Sequence, residues 1–329
     1  MADRMDETVV VITGASSGIG RATARAFARR GAHLVLAARR GDLLAEVARE
    51  CESLGGRAVA VPTDVTDPDA VADLAKAALE AFGGIDVWVN NAGTGVFGPF
   101  TEGRLDLHRR VIETNLMGAM YGAAFALPVF QRQGRGTLIN TVSLGGWAPT
   151  AFAAAYTASK FGLRGFTASL RQELEEFPEI HVCGVFPSIV DTPGFIHGAN
   201  VAGKAIEPSG PIYAPEDVAD VIVGLVRRPR DEVAVGWPAR ALQAAYALAP
   251  GPTEHAMGAV LRRYLRRADH APRTDGSLIR PVFRGRGVSG HLRARRSFGR
   301  TGRFLGLAVA AAFLTAGTAA ALQARRRQG

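Results

Sequence analysis

The chain has 329 residues, 47% of them apolar and 39 of them Gly, enough to bury an α/β core of one large domain or two small ones. A formal charge of +9 would suggest nucleic acid or a membrane surface, but from Arg262 onward there are 16 Arg against two acids, a net of +14 that leaves −5 on residues 1–261. Two cysteines, Cys51 and Cys183, offer neither a metal-ligand spacing nor a disulfide framework and suit a reducing, cytoplasmic setting with no metal.

Residues 8–13 are a β-branched run of the kind that is buried on both faces of a parallel sheet. Their position leaves no room for a signal peptide ahead of the first strand. Gly14-Ala15-Ser16-Ser17-Gly18-Ile19-Gly20 follows at once, and then a helical run over 21–30. Strand, glycine-rich turn and helix in that order make a nucleotide-phosphate site, with the pyrophosphate charge at the helix N-terminus. No Gly-Lys-Ser/Thr is present for a P-loop. A strand over 32–38 ends in Arg39-Arg40. Dinucleotide folds place here an acid for the ribose 2′-hydroxyl or a base for the 2′-phosphate, so the arginines favour NADP(H) over NAD(H). In so Arg-rich a chain they also read as an exposed pair.

A helix over 42–54 and a strand over 58–62 lead to Asp64-Val65, placed to meet an adenine edge. After a helix over 67–82 and a strand over 85–89 comes Asn90-Asn91-Ala92-Gly93, small residues at the carboxyl edge of the sheet, where ligands bind. The same four residues also read as a plain turn. A long helix over 104–131 carries Asn115 at its centre, a poor helix former unless its amide is engaged elsewhere. A strand over 136–142 ends at Ser143, which by itself reads as a cap, and Tyr156 lies 13 residues on.

Tyr156-Thr157-Ala158-Ser159-Lys160 sets a phenol and an ammonium four residues apart, on one helix face. A cation there favours the phenolate and lowers the Tyr156 pKa, which suits proton exchange with a carbonyl or alcohol. With three Lys and five Tyr in the chain, the spacing is seldom a coincidence, though an ordinary solvated face is the bland alternative. A strand over 181–186 closes at Pro187-Ser188, an irregular stretch over 189–215 suits a substrate lid, and a helix over 215–227 and a strand over 232–236 complete the sheet.

In order and spacing, residues 13–20, Asp64, 90–93, Asn115, Ser143, Tyr156, Lys160 and Pro187 resemble the short-chain dehydrogenase/reductase family over residues 8–236. The resemblance implies a Rossmann-type, doubly wound α/β fold. It implies Tyr156 as the acid/base, Ser143 as the donor to the substrate oxygen, and Lys160 on the nicotinamide ribose. Asn115 would hold a relay water, Asn91, Ala92 and Gly93 would line the cofactor, and Thr192 would meet its carboxamide. One departure is Ser188, where the family usually has Gly. Phe97, Phe100, Leu144, Trp147, Phe152, Phe195 and Ile196 would make an apolar pocket for a lipophilic ketone or alcohol, or else are packing core. Helices over 104–131 and 151–177 would pair subunits in a homo-oligomer. A non-catalytic NADP-binding regulator is the rival from another class, and an extended relative acting on nucleotide sugars is a third reading.

Beyond a catalytic domain over 1–236, residues 237–267 read as a basic amphipathic helical extension that binds a membrane surface or packs on the substrate pocket or a subunit partner. Residues 268–302, rich in Gly, Pro and Arg, read as a disordered linker without the aromatic interleaving of a nucleic-acid binder. Residues 304–322 carry no charge and reach about 28 Å as a helix, so 303–329 suits a C-terminal anchor that holds the domain on the cytoplasmic face of a membrane.

Overall fold

The computed structural model describes residues 5–293 apart from 209 and 283. The first half alternates β1 (Val9–Thr13), α1 (Gly18–Ala28), β2 (His33–Ala38), α2 (Gly41–Ser53), β3 (Arg57–Pro62), α3 (Pro68–Phe82) and β4 (Val87–Asn90). A short β5 (Val96–Phe97), α4 (Leu105–Ile112), α5 (Gly118–Gln133), β6 (Gly136–Thr141), α6 (Ala154–Glu173) and β7 (Ile180–Pro187) follow. Then come α7 (Gly194–His197), β8 (Ala199–Asn200), α8 (Pro215–Arg227), β9 (Glu232–Val235), α9 (Trp237–Leu248) and α10 (Pro250–Arg267).

Seven parallel strands form one sheet in the order β3-β2-β1-β4-β6-β7-β9. All five residues of β1 are buried because each face of the sheet is covered. Val10 and Ile12 pack with α1, α2 and α8 on one face, and Val11 packs with α3, α5 and α6 on the other. The strand order reverses between β1 and β4, which opens a crevice at their carboxyl ends.

The helix expected over 104–131 is interrupted. Residues Glu113–Met117 form a π turn around Asn115 between α4 and α5. Such a bulge turns one side chain out of the regular ladder and is frequent at functional sites. In the irregular stretch after β7, β8 pairs with β5 as a separate two-stranded ribbon.

The helical extension is two helices, α9 and α10, and they pack on the body. Leu242 of α9 and Met257 of α10 bury against Ala148, with Leu144 beside them. Tyr264 of α10 donates to the Ala205 carbonyl at 2.9 Å and accepts from the Glu207 amide at 2.7 Å.

The segment expected to be a disordered linker is instead hydrogen-bonded along its described part. Thr274 pairs with Asn200, and His270 with Lys204. Composition misses this because backbone pairing with β8 needs no apolar side chains. Among the described residues no helix is long and apolar enough to cross a membrane. The anchor expected at 303–329, and the last part of the linker, lie outside the described residues.

Candidate active site

β1 ends at Thr13, and the turn behind it carries Gly14 and Gly18 at φ +67° and +56°. A Cβ on Gly14 would stand 2.9 Å from the Ala92 Cα, and one on Gly20 would stand 2.3 Å from the Gly14 carbonyl, so the turn packs backbone on backbone. The Thr13 hydroxyl accepts from the amides of Asn91 (3.0 Å) and Ala92 (3.1 Å). The Asn91 side chain donates to the Thr13 carbonyl at 3.0 Å. Asn91 therefore braces the two turns with its side chain and borders the crevice alongside.

The crevice is lined by Gly14, Ser16, Ser17, Gly18 and Ile19, by Arg39 and Arg40, by Asp64 and Val65, by Asn91, Ala92 and Gly93, and by Thr192. Gly20 and Pro187 are not in its lining: Gly20 packs against the Gly14 carbonyl within the turn, and Pro187 is the buried last residue of β7. Arg40 donates to the hydroxyls of Ser16 (3.0 Å) and Ser17 (3.2 Å). Burial lowers the pKa of both Arg39 and Arg40, and each has another arginine close enough to lower it further. Burial alone would raise Asp64, but hydrogen bonds from Thr66 and the charges of Arg110 and Arg39 outweigh it and lower its pKa. Arg110 meets Asp64 at 2.5 Å. Arg39 and Arg40 together make a half-buried cationic corner fitted to an anion.

Gly93 joins this crevice to a second group of residues. A Cβ there would lie 3.5 Å from Asn115 Oδ1 and 3.7 Å from Lys160 Nζ. Asn115 Oδ1 accepts from the Thr94 amide at 2.8 Å, and its Nδ2 donates to the Thr94 carbonyl (2.9 Å) and to Ser159 Oγ (3.0 Å). Lys160 Nζ donates to the Thr141 carbonyl at 2.8 Å and sits 5.8 Å from the Tyr156 ring centre. Ser143 holds φ +140°, a strained value for a residue with a side chain, and its Oγ accepts from the Gly145 amide at 3.1 Å.

Burial raises the Tyr156 pKa, and a hydrogen bond with Ser143 acts in the opposite direction. Burial also lowers Lys160 to about 7. The one-turn spacing led us to expect a depressed phenol. In the protein alone, desolvation of the phenol outweighs the Ser143 hydrogen bond, and burial of Lys160 weakens the cation beside it.

Sequence reasoning passed over the polar floor beneath these groups. Asn90 Nδ2 donates to Asn140 Oδ1 (2.9 Å), Asn140 Nδ2 to Thr167 Oγ1 (2.9 Å), and Trp88 Nε1 to Asn90 Oδ1 (2.8 Å), all buried. The available signal was an Asn inside each of two apolar strands. Ser188, the departure from the family pattern, accepts from the Ala239 amide at 3.1 Å and so caps α9.

Among the expected pocket residues, Phe97 stands over Tyr156 (ring centres 6.4 Å apart) and stacks with Phe195 (6.3 Å). Trp147 is not in the pocket: it is buried, stacks on Phe186 at 4.0 Å and donates to Glu232. Phe100 and Ile196 are exposed. Four residues from far along the chain, Ser277, Leu278, Pro281 and Val282, line the same crevice, and nothing in their sequence signals it.

Residues 8–197 match the family model described as short chain dehydrogenase. An oxidoreductase of Bacillus subtilis, YxnA, itself described as uncharacterized, is 36% identical over 263 residues, 78% of this chain and 73% of its own. A solved metagenomic short-chain oxidoreductase in complex with NADP is 35% identical (TM-score 0.59), the match covering 70% of this chain and 96% of that one. The L-sorbose reductase of Gluconobacter frateurii, solved with NADPH and L-sorbose, is 30% identical (TM-score 0.64), covering 71% and 97%.

Proposed function

Because this chain belongs to the short-chain dehydrogenase family, we propose that it is an NADP(H)-dependent oxidoreductase that interconverts a ketone or aldehyde and an alcohol, with Tyr156 as acid/base. One observation carries the reading. The crevice with the Arg39–Arg40 corner runs through Gly93 directly to Asn115 and to Lys160, which lies one helical turn from Tyr156.

The residues present fit the cofactor. Arg39, Arg40 and the hydroxyls of Ser16 and Ser17 would take the 2′-phosphate, and the amides at the start of α1 would take the pyrophosphate. Asp64 and Val65 would border the adenine, while Pro187 and Thr192 would border the nicotinamide. When bound, NADP(H) supplies or accepts the hydride at the carbonyl carbon. The chain supplies the proton and the shape of the site.

Ser143 and Tyr156 would donate to the carbonyl oxygen as negative charge develops on it, and each such donor contributes about 3 kcal/mol. Tyr156 then passes its proton to that oxygen, or takes it back in the oxidative direction. Lys160, donating to ribose hydroxyls, would be favoured as the ammonium and so would ease the loss of the Tyr156 proton. Asn115, held by Thr94 and Ser159 in the π turn, would order a water through which the proton is replaced. Phe97 and Phe195 suit a lipophilic substrate. The NADP and NADPH complexes of the two solved relatives support the cofactor assignment.

NADPH absorbance with a panel of ketones and aldehydes tests the activity. Tyr156→Phe should lower kcat by about 10²–10⁴ while NADPH still binds. Turnover close to wild type in that variant would sink the assignment of Tyr156. Tethering through residues 304–322 and homo-oligomer pairing remain parts of the reading that rest on sequence; fractionation with and without 303–329, and light scattering, test each.

A further inference from the structure

The free volume of the nucleotide crevice is about 230 Å³. Pockets that enclose drug-sized ligands span roughly 300–1,000 Å³, and a dinucleotide exceeds such ligands. What fills the space is the segment after α10. Arg39 donates through Nη2 to the Ser277 carbonyl and through Nη1 to the Leu278 carbonyl at 3.3 Å. Arg40 Nη1 donates to the Val282 carbonyl at 3.0 Å. The Gly18 amide, first in α1, donates to the Gly287 carbonyl at 3.1 Å. These are the donors an anionic dinucleotide requires, and here neutral carbonyls hold them.

The far end of the segment is fastened. The Asp191 carboxylate, only 4% exposed, accepts from Ser289 Oγ (2.8 Å) and from the amides of Gly290 (3.1 Å) and Leu292 (2.7 Å). Asp191 directly precedes Thr192, which faces Gly18 across the crevice: a Cβ on Gly18 would lie 3.2 Å from the Thr192 Cβ.

We propose that the described residues of 277–292 are an autoinhibitory strap, latched by Asp191, that competes with NADP(H) for Arg39, Arg40 and the Gly18 amide. The proposal rests on the cofactor reading above. A phosphate meets the guanidiniums as an ion pair and can accept from two N–H groups of one fork, which a neutral carbonyl cannot match, so the cofactor can displace the strap, and the strap taxes its affinity. The tax is the fraction of molecules with the strap open, and it falls equally on NADPH and NADP⁺.

Two experiments on the full-length protein test this. Hydrogen exchange of wild-type residues 277–292 should become faster at saturating NADPH; slower exchange would make the strap a wall over the bound cofactor and overturn the proposal. A Cβ at position 290 would stand 2.3 Å from the Thr192 carbonyl, so Gly290→Val cannot seat the strap. Titrated by fluorescence, that variant should bind NADPH and NADP⁺ about tenfold more tightly or better, by one common factor. Affinity equal to wild type, or weaker, overturns the strap alone. If neither protein binds NADPH, the cofactor reading falls and the strap proposal falls with it.

Discussion

The floor of the site and the strap above it are both built from hydrogen bonds, yet they differ in what water could replace. Asn90 and Asn140 of that floor, and Asn115, Ser159 and Lys160 of the groups it carries, are all 5% exposed or less. Breaking one such bond strands a buried polar group at a cost of about 1–3 kcal/mol. The strap carbonyls at Ser277, Leu278 and Val282 line the crevice, where water or an anion can take their place, although the Leu278 side chain is itself buried beside them. The floor is therefore held in one geometry, while the strap belongs to the part of the molecule that can open first.

The largest effect that would separate the two regions comes from Lys160. Its folded pKa is about 7 against an ordinary 10.5. Between those values the unfolded chain holds a proton that the folded chain does not, so stability rises with pH across that window and levels off below about 7. From pH 7 to 9.5 the gain should be on the order of 3 kcal/mol, measured by urea denaturation. Lys160→Met should flatten that slope. Tyr156 works in the opposite sense, but only above about pH 10, because its folded pKa is raised. An equally steep slope in the Met variant would show that the floor does not hold a neutral lysine.

A smaller change sharpens the comparison at the roof. Arg40→Ala removes a donor shared by the strap and, in our reading, the 2′-phosphate. Since a charge-assisted bond contributes about 1.5–3 kcal/mol, NADPH affinity should fall roughly 10–100-fold, while NADH affinity should hold or rise slightly. An equal loss for both cofactors would separate Arg40 from the phosphate. Smallest of all, Ser188→Ala uncaps α9 and should cost about 1 kcal/mol of stability with little change in kcat, read from thermal unfolding and steady-state rates. A large loss of kcat would mean that Ser188 meets the reacting groups.

Much of the nucleotide half was legible because its chemistry is local. Gly14, Gly18 and Gly20 occupy one turn, and Arg39-Arg40 ends the next strand, so chain order alone predicts their meeting at the switch between β1 and β4. The reaction half was legible through one helical turn, Tyr156 to Lys160. Sequence reading overlooked Asn140 and Thr167, whose roles depend on partners on other elements. It left Trp147 open between pocket and core, because an aromatic residue near Ser143 looks the same whether it faces a ligand or the core. The direction of the Tyr156 shift was missed for a related reason: spacing shows the neighbouring charge but not the burial that opposes it.

Residue spacing by itself determined the parallel α/β order, the glycine-rich turn, the basic corner and the Tyr156–Lys160 pair, since each rests on separations of a few residues. The tertiary structure decided how residues 268–292 lie. Their Gly, Pro and Arg composition forms no apolar face, so no periodicity marks them. They are ordered by bonds to β8, to the two arginines and to the Asp191 carboxylate, and by Leu278, which buries among Val96, Leu107 and Val111. Bonds of that kind depend on where distant partners stand in space, which a linear pattern does not encode.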